Sequence, residues 1–169
     1  MSSNLLKTII ILPGTVLVFV PTLILIATYN TRFSFELIGP DRLLFWPGLA
    51  AAGLGLFLAV WTVTLFTKFG QGTPAPWDPP QKLVIRGPYR FVRNPMITGV
   101  LSMLLAETLL LKSWPIFLWL LVFFLLNSVY FPLVEERSLE KRFGADYLEY
   151  KKHVPRWIPR LTPWKPPDK

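Results

Sequence analysis

The sequence predicts an all-α, polytopic membrane protein, and three observations support that fold class. Hydrophobic residues make up 52% of the 169 residues and charged residues only 17%. The apolar residues are gathered into long runs, and about 20 of them in succession cross a bilayer as a helix. The net charge of +8 comes from cations that flank these runs, which is typical of membrane helices. Nucleic-acid binding, the other common meaning of a strongly basic chain, does not fit such an apolar composition.

We predict four membrane helices, at Leu5–Ala27, Leu43–Phe66, Ile97–Leu111 and Trp114–Val134. Pro13 and Pro21 are expected to kink the first helix, because proline lacks the N–H that a helix interior needs. The second helix contains the small-residue stretch GLAAAGLGLF, which favours close packing against another helix over a ligand groove. Only KSWP separates the last two helices, so they are predicted to form a tight antiparallel hairpin.

A fifth, amphipathic helix is predicted after Val134. Its apolar and aromatic side chains recur at helical spacing, at Leu139, Phe143, Tyr147 and Tyr150. Gly144 is expected to bend or divide it. With both termini in the cytoplasm, all of the 18 Lys and Arg residues except Arg32, Arg42 and Lys112 lie on the cytoplasmic side. This asymmetry satisfies the positive-inside rule and makes the fifth helix cytoplasmic.

An acid pair, Glu135–Glu136, directly follows the fourth predicted helix. Two adjacent carboxylates at a helix C-terminus oppose the helix dipole and repel each other. A positively charged group should therefore lie near the two carboxylates and balance their charge. The candidates are Arg137, Lys141 and the loop arginines, or a bound cationic ligand, and the residues alone leave both possibilities open.

A second group of candidate functional residues lies in the stretch RGPYRFVRNPMITG. Arg86, Arg90 and Arg93 would share one face if the stretch were helical, and they could then clamp a lipid phosphate or a ligand carboxylate. The alternative is that they only obey the positive-inside rule. Asn94 and Pro95 are predicted to start the third helix, with Asn94 as the N-cap residue and Pro95 in the first turn.

No metal site is predicted, because the chain has no cysteine and only one histidine, His153. We interpret His153 as a surface residue of the basic tail. Glu107 is an intramembrane carboxylate and therefore a functional candidate by default. Its position near the outer end of its helix also fits a side chain that reaches the interface.

The ordered pair of motifs QKLVIRGPYRFVRNPMITG and EERSLEKRFGADYLEYKKHVPRWIP resembles the isoprenylcysteine carboxyl methyltransferase family and the related phospholipid methyltransferases. The resemblance covers roughly residues 81–159 and implies S-adenosylmethionine as cofactor. The chain length predicts a single membrane domain over 1–169, in which we expect a two-helix region at 1–67 and a cofactor-binding catalytic region at 68–169. The implied cofactor-binding residues are Gln81, Lys82, Leu83, Val84, Tyr89, Asn94, Pro95, Met96, Ile97 and Glu135.

The same resemblance bears on the methyl acceptor. Isoprenylcysteine enzymes have His-Pro-x-Tyr where this chain has Asn94 to Ile97, and an arginine where it has Phe131. The resemblance thus implies an uncharged or lipid-borne acceptor with an O, N or S nucleophile, handled at the cytoplasmic face. Glu136, Tyr147 and Glu107 are the candidates for a proton acceptor. No metal and no nucleic acid are expected as partners.

Two other classes of function remain open. Sterol reductases are similar in the C-terminal region and use NADPH, whose 2′-phosphate the basic stretch could bind. A non-catalytic membrane protein would bind no nucleotide-like ligand, and its arginines would serve only topology.

Overall fold

The computed structural model describes residues 11, 13–70 and 80–166. We name its α-helices by position: α1 is Val20–Thr28, α2 is Phe45–Leu65, α3 is Pro95–Leu110, α4 is Trp114–Tyr130 and α5 is Glu136–His153. No strand occurs in these described ranges. The predicted all-α class is confirmed there.

The first predicted helix is described only in part, since residues 5–10 and 12 of Leu5–Ala27 lie outside the described residues. A π-helical turn at Thr15–Phe19 precedes α1, and Pro21 lies in the first turn of α1. Such turns mark places where the regular hydrogen-bond ladder is interrupted. This turn lies between Pro13 and Pro21, and the kinks expected at these two residues stay a prediction.

Glycines let α2 and α3 pack closely. A Cβ atom added to Gly55 of α2 would lie 2.7 Å from the carbonyl oxygen of Gly99 of α3, and one added to Gly48 would lie 2.9 Å from Leu110. Real Cβ atoms do not approach so closely, so these glycines set the distance between the helices. The small-residue stretch of α2 serves helix packing, as predicted.

A three-residue connection, Leu111 to Ser113, links α3 to α4, and Lys112 within it has a φ of 44°. The segment before α2 runs across the same end of α3. There the N–H groups of Glu36 and Ile38 donate to the carbonyl oxygens of Leu111 and Leu110, both at 3.0 Å. These bonds satisfy carbonyls that a helix C-terminus leaves without partners.

Helix α4 continues through a π-helical turn, Phe131–Glu135, into α5. Gly144 divides α5, with φ 54° and ψ −128°, so the predicted break is confirmed. These backbone angles lie in a region open to glycine and costly for other residues. The helix on either side of Gly144 can therefore take different directions.

Two helical stretches, Phe45–Gly70 and Trp114–His153, are long and apolar enough to cross a membrane. Only 22% and 11% of the residues in their most apolar windows are buried. The core helix of a soluble protein would bury most of that surface. These helices instead present their apolar side chains outward, as a lipid environment requires.

Candidate active site

A cavity of about 310 Å³ lies where five parts of the chain meet. These parts are the π-helical turn after α2 at Phe66, the loop 80–84, the 3₁₀ turn Gly87–Arg90 with the start of α3, residues 130–135 at the end of α4, and α5 as far as Tyr150. Its volume falls in the range of about 300–1,000 Å³ that small-molecule sites occupy. It is therefore the candidate ligand site.

The structure brings most of the predicted cofactor-binding residues to this cavity. Those that line it are Lys82, Leu83, Val84, Tyr89, Asn94, Met96, Ile97 and Glu135. Gln81 and Pro95 adjoin lining residues in the chain but do not line the cavity themselves. Of the three candidates for proton transfer, Glu136 and Tyr147 line it, and Glu107 lies apart from it on α3.

Pro95 is the first residue of α3, and Asn94 occupies the N-cap position. The predicted N-cap position of Asn94 is confirmed, but its side chain makes no capping hydrogen bond. Its ψ of 54° departs from the extended conformation that N-cap residues usually adopt. The Asn94 Nδ2 atom is buried and has no hydrogen-bond partner among the described residues. Its amide is thus available to a ligand in the cavity.

The two adjacent glutamates have different surroundings. The Glu136 side chain is 3% exposed, and its Oε1 atom accepts hydrogen bonds from Arg93 at 2.9 Å and Arg156 at 2.7 Å. Lys151 Nζ lies 3.0 Å from its Oε2 atom. Burial opposes the charge on Glu136, but the bonds from Arg156 and Lys151 and the charge of Arg93 outweigh it, so the pKa of Glu136 lies below its ordinary value.

Glu135 has no such compensation. No cation of the described chain forms a salt bridge with it. Burial raises the pKa of Glu135 to about 7, and the charge of Glu136 adds to this. Glu136 is therefore paired with cations within the protein, and Glu135 has no cationic partner among the described residues.

The cavity wall contains three buried tyrosines. Tyr150 Oη donates a 2.7 Å hydrogen bond to the carbonyl oxygen of Tyr89, and the Tyr89 ring meets Phe66 edge-on at 5.4 Å. Burial, with nearby Tyr150 and Glu135, raises the pKa of Tyr89 well above 10.0. Burial also raises the pKa of Tyr147 to about 12. All three tyrosines keep their protons at neutral pH.

The three loop arginines do not share a face, because the chain between them forms a short 3₁₀ turn. The Arg86 guanidinium lies 4.2 Å from the centre of the Phe69 ring. Arg90 Nε donates to the carbonyl oxygen of Trp164 at 2.8 Å, and Arg93 pairs with Glu136. A single clamp made by all three side chains, one of the two possibilities left open, is thus wrong for these arginines.

The C-terminal tail is held against this loop by its backbone. The N–H of Arg93 donates to the carbonyl oxygen of Pro155, and the N–H of Trp164 donates to that of Arg90, both at 2.9 Å. Trp157 packs against Phe131, with ring centres 6.0 Å apart. The tail thereby supports the wall formed by the loop and the start of α3.

Sequence reasoning missed several lining residues, namely Phe66, Tyr130, Val134, Ser138, Arg142 and Phe143. Part of this set carried a usable signal. Ser138, Arg142 and Phe143 stand three, seven and eight residues after Glu135, which places them on one face of a helix. The approach of Phe66 from α2 had no such signal, because it depends on how distant helices pack.

Within the described ranges, no group of three or more His, Cys, Asp or Glu residues could hold a metal ion. The family model for phospholipid methyltransferase (PEMT) matches residues 43–146. No curated protein and no solved structure gives a match. The matched range includes α2, α3, α4 and the residues of the cavity up to Phe143. Because this match spans more than half of the chain, the protein belongs to the phospholipid methyltransferase family and is a membrane methyltransferase.

Proposed function

We propose that the protein transfers the methyl group of S-adenosylmethionine to a lipid-borne acceptor at the cytoplasmic face of the membrane. The observation that carries this proposal is the cavity in which Glu135 has no cationic partner in the described chain. A buried carboxylate favours a positively charged ligand, and S-adenosylmethionine has a positive sulfonium and a positive amine. Membership of a methyltransferase family supports the same cofactor.

The residues present fit this cofactor at both of its charges. Glu135 would balance a positive group, and the free Asn94 amide could donate to the cofactor's carboxylate. The N-terminus of α3 would favour the same carboxylate, because a helix N-terminus attracts anions. When bound, the cofactor supplies an electrophilic methyl group to a nucleophilic O, N or S atom.

The protein's own contribution is orientation and exclusion of water, which methyl transfer needs more than a strong base. Phe66, Met96, Ile97 and Phe131 give the cavity apolar walls. Glu136 is occupied by three cations, and Tyr147 holds its proton. We retain these two and Glu107 as candidates for assisting proton loss from the acceptor.

The acceptor would enter sideways from the lipid. Tyr130 and Val134 line the cavity and are also 43% and 50% exposed on the apolar surface of the protein. Isoprenylcysteine enzymes have an arginine where this chain has Phe131, and that arginine would engage a substrate carboxylate. An acceptor without a carboxylate at that point therefore fits this chain better. The phospholipid methyltransferase family supports a lipid acceptor.

The topology that we propose has four membrane helices, the last two as a hairpin, and both termini in the cytoplasm. The helices are the first apolar segment, α2, α3 and α4, and α5 lies on the cytoplasmic side. The distribution of Lys and Arg supports this orientation. It puts the cavity, the acid pair and the basic tail at the same face, with residues 1–169 forming one domain.

Calorimetry on the purified protein tests the cofactor. Wild type should bind S-adenosylmethionine and its demethylated product. We expect Glu135→Gln to bind S-adenosylmethionine about 10- to 100-fold more weakly, because a charge-assisted contact is lost. Glu149→Gln is the matched control, since Glu149 is 43% exposed on α5 and pairs with Lys152 and His153. Unchanged affinity in a folded Glu135 variant would remove Glu135 from the site.

Thermal stabilisation distinguishes the other two classes of function. Stabilisation by NADPH and not by S-adenosylmethionine would support a reductase. Stabilisation by neither compound would support a non-catalytic membrane protein. Lipid mass spectrometry with an isotope-labelled methyl donor, comparing membranes with and without the protein, would then identify the acceptor.

A further inference from the structure

A second cavity of about 310 Å³ adjoins the candidate active site and shares Lys82, Leu83 and Val84 with it. Its other described lining residues are Lys68, Phe69 and Arg86. Three of these six side chains are cationic, and none is acidic. The composition therefore differs from that of the first cavity, which contains Glu135 and Glu136.

The backbone holds these cations in place. A π-helical turn, Phe66–Gly70, extends α2 and carries Lys68. The carbonyl oxygen of Gly70 accepts hydrogen bonds from the N–H groups of Gln81 at 2.8 Å and Lys82 at 3.2 Å. Gly70 is itself buried, with Val84 3.4 Å from the position of an added Cβ atom. The end of α2 and the loop are thus fixed to each other, which keeps Lys68 and Lys82 at one cavity.

The charges of these cations are not neutralised by the described chain. Lys68, Lys82 and Arg86 form no salt bridge with any described residue. Arg86 instead lies against the face of the Phe69 ring, a contact that orients the guanidinium and leaves its charge in place. Like charges around one cavity repel each other, so an anion bound among them would be stabilised.

The position of the second cavity at the end of a membrane helix indicates which anion it binds. S-adenosylmethionine has no phosphate, and in the proposed function its carboxylate would meet Asn94 and the N-terminus of α3. The cavity lies at the end of α2, whose side chains Phe57, Val60 and Trp61 are 57%, 59% and 38% exposed. Apolar side chains exposed along a membrane helix face lipid, and cations at its end lie at the depth of the phosphate groups.

We infer that the cavity lined by Lys68, Lys82 and Arg86 binds the phosphate of an anionic phospholipid headgroup. The shared chemistry is a phosphate ester held by two ammonium groups and one guanidinium. The source that we infer is the surrounding bilayer, since α2 carries exposed apolar side chains and Lys68 lies in the turn that directly follows it. This site adjoins the candidate active site and shares Lys82, Leu83 and Val84 with it, and its assignment rests on the proposed function only in taking S-adenosylmethionine as the cofactor.

The test measures which lipids stay with the protein. The full chain is reconstituted in phosphatidylcholine vesicles that contain a minority of phosphatidylglycerol and is then extracted in a neutral detergent. Mass spectrometry counts the phosphatidylglycerol that remains bound. Wild type should retain phosphatidylglycerol in preference to phosphatidylcholine. Lys68→Gln/Arg86→Gln should retain roughly ten- to thirtyfold less, because two cations at the lipid phosphate are lost.

Arg32→Gln/Arg42→Gln is the matched control. It removes the same charge at the other end of α2, and Arg32 also lies over an aromatic ring, Phe33, at 4.7 Å. This control should retain phosphatidylglycerol as wild type does. Equal losses in both double variants would show general surface attraction and overturn the inference. Wild-type retention in Lys68→Gln/Arg86→Gln would overturn it directly.

Two competition experiments separate the phosphate sources. Inorganic phosphate at millimolar concentration should not displace the bound phosphatidylglycerol; displacement would mean that the site takes free phosphate. NADPH should not displace it either, and displacement would assign the cations to a nucleotide.

The calorimetric affinity for S-adenosylmethionine should be unchanged in Lys68→Gln/Arg86→Gln, which also shows that the variant is folded. The single variant Lys68→Gln, at an exposed position, should show a smaller loss of lipid in the same direction; wild-type retention there would exclude Lys68 from the site.

Discussion

Replacing Glu136 by glutamine tests the ion network that joins the loop, α5 and the tail. The Glu136 and Arg93 side chains are only 3% and 10% exposed, and their closest atoms are 2.9 Å apart. Arg156 and Lys151 complete the network at 2.7 and 3.0 Å. Glu136→Gln keeps the shape of the side chain and removes its charge, so Arg93 is left buried without a counter-ion.

The magnitude follows from this burial. Breaking a buried ion pair by removing one partner costs about 3–5 kcal/mol, because the other charge stays desolvated. A chain of this length loses about 2–4 °C in Tm for each kcal/mol. We therefore expect the Tm of Glu136→Gln to fall by roughly 6–20 °C. Arg156 and Lys151 are more exposed, at 25% and 37%, and they can rehydrate at lower cost.

Thermal unfolding of the purified protein in detergent, followed by tryptophan fluorescence, measures the effect. Glu36→Gln is the control, because Glu36 makes a 2.8 Å pair with Lys112 in which both side chains are more than half exposed. Exposed pairs contribute little to stability, so this control should unfold close to wild type. If Glu136→Gln loses no more stability than Glu36→Gln, the network is not the buried element described here.

The pH dependence of stability gives a second measurement of the same network. The pKa of Glu136 is lowered in the folded state, so its contribution is complete above the ordinary value of 4.5. That contribution is lost as the pH falls through the lower folded-state pKa. Wild type should therefore lose stability in this acidic range, and Glu136→Gln should lose less. Equal acid sensitivity in both proteins would contradict the assignment.

Two further predictions concern the cavity and the helix contact. Glu135 has a pKa of about 7, so it is ionised for a cationic ligand only as the pH rises. Calorimetry should show the affinity for S-adenosylmethionine rising through pH 7, by up to about tenfold per unit below the pKa, and no such rise in Glu135→Gln; a pH-independent wild-type affinity would contradict this. Gly55→Ala should lower the Tm, because its Cβ atom would lie 2.6 Å from Met103 and 2.7 Å from the carbonyl oxygen of Gly99. Gly53→Ala, with nothing within 4 Å, should be neutral or stabilising by up to about 1 kcal/mol, and equal effects at both positions would refute the close contact.

Local signals in the sequence predicted much of the helical fold. The second predicted helix, Leu43–Phe66, agrees with α2 within two residues at its start and one at its end. The membrane span of the third helix was predicted from Ile97, and the predicted start of the helix at Asn94 and Pro95 is confirmed, because the fixed φ of proline suits the first helical position. Helix ends marked by proline and apolar runs are local properties, so they can be read without tertiary information.

The arginines and Asn94 show where local signals fail. Spacing of four and three residues would align Arg86, Arg90 and Arg93 on a helix, but the 3₁₀ turn sends them to Phe69, Trp164 and Glu136. Asn94 has the right position for a cap, yet its side chain makes no capping bond. In both cases the partners that decide the outcome come from other parts of the chain.

The sequence by itself determined that this chain is helical and apolar, and its two ordered motifs already resembled a methyltransferase family. Only the tertiary structure decided how the acid pair is divided. Glu135 and Glu136 are neighbours in a helical stretch, so their side chains leave the axis about 100° apart. Arg93 and Arg156 lie 43 and 20 residues away from Glu136 along the chain, and folding brings both to Glu136. Glu135 lines the cavity and pairs with no cation of the described ranges, because the positions of distant charges are set by packing and not by local sequence.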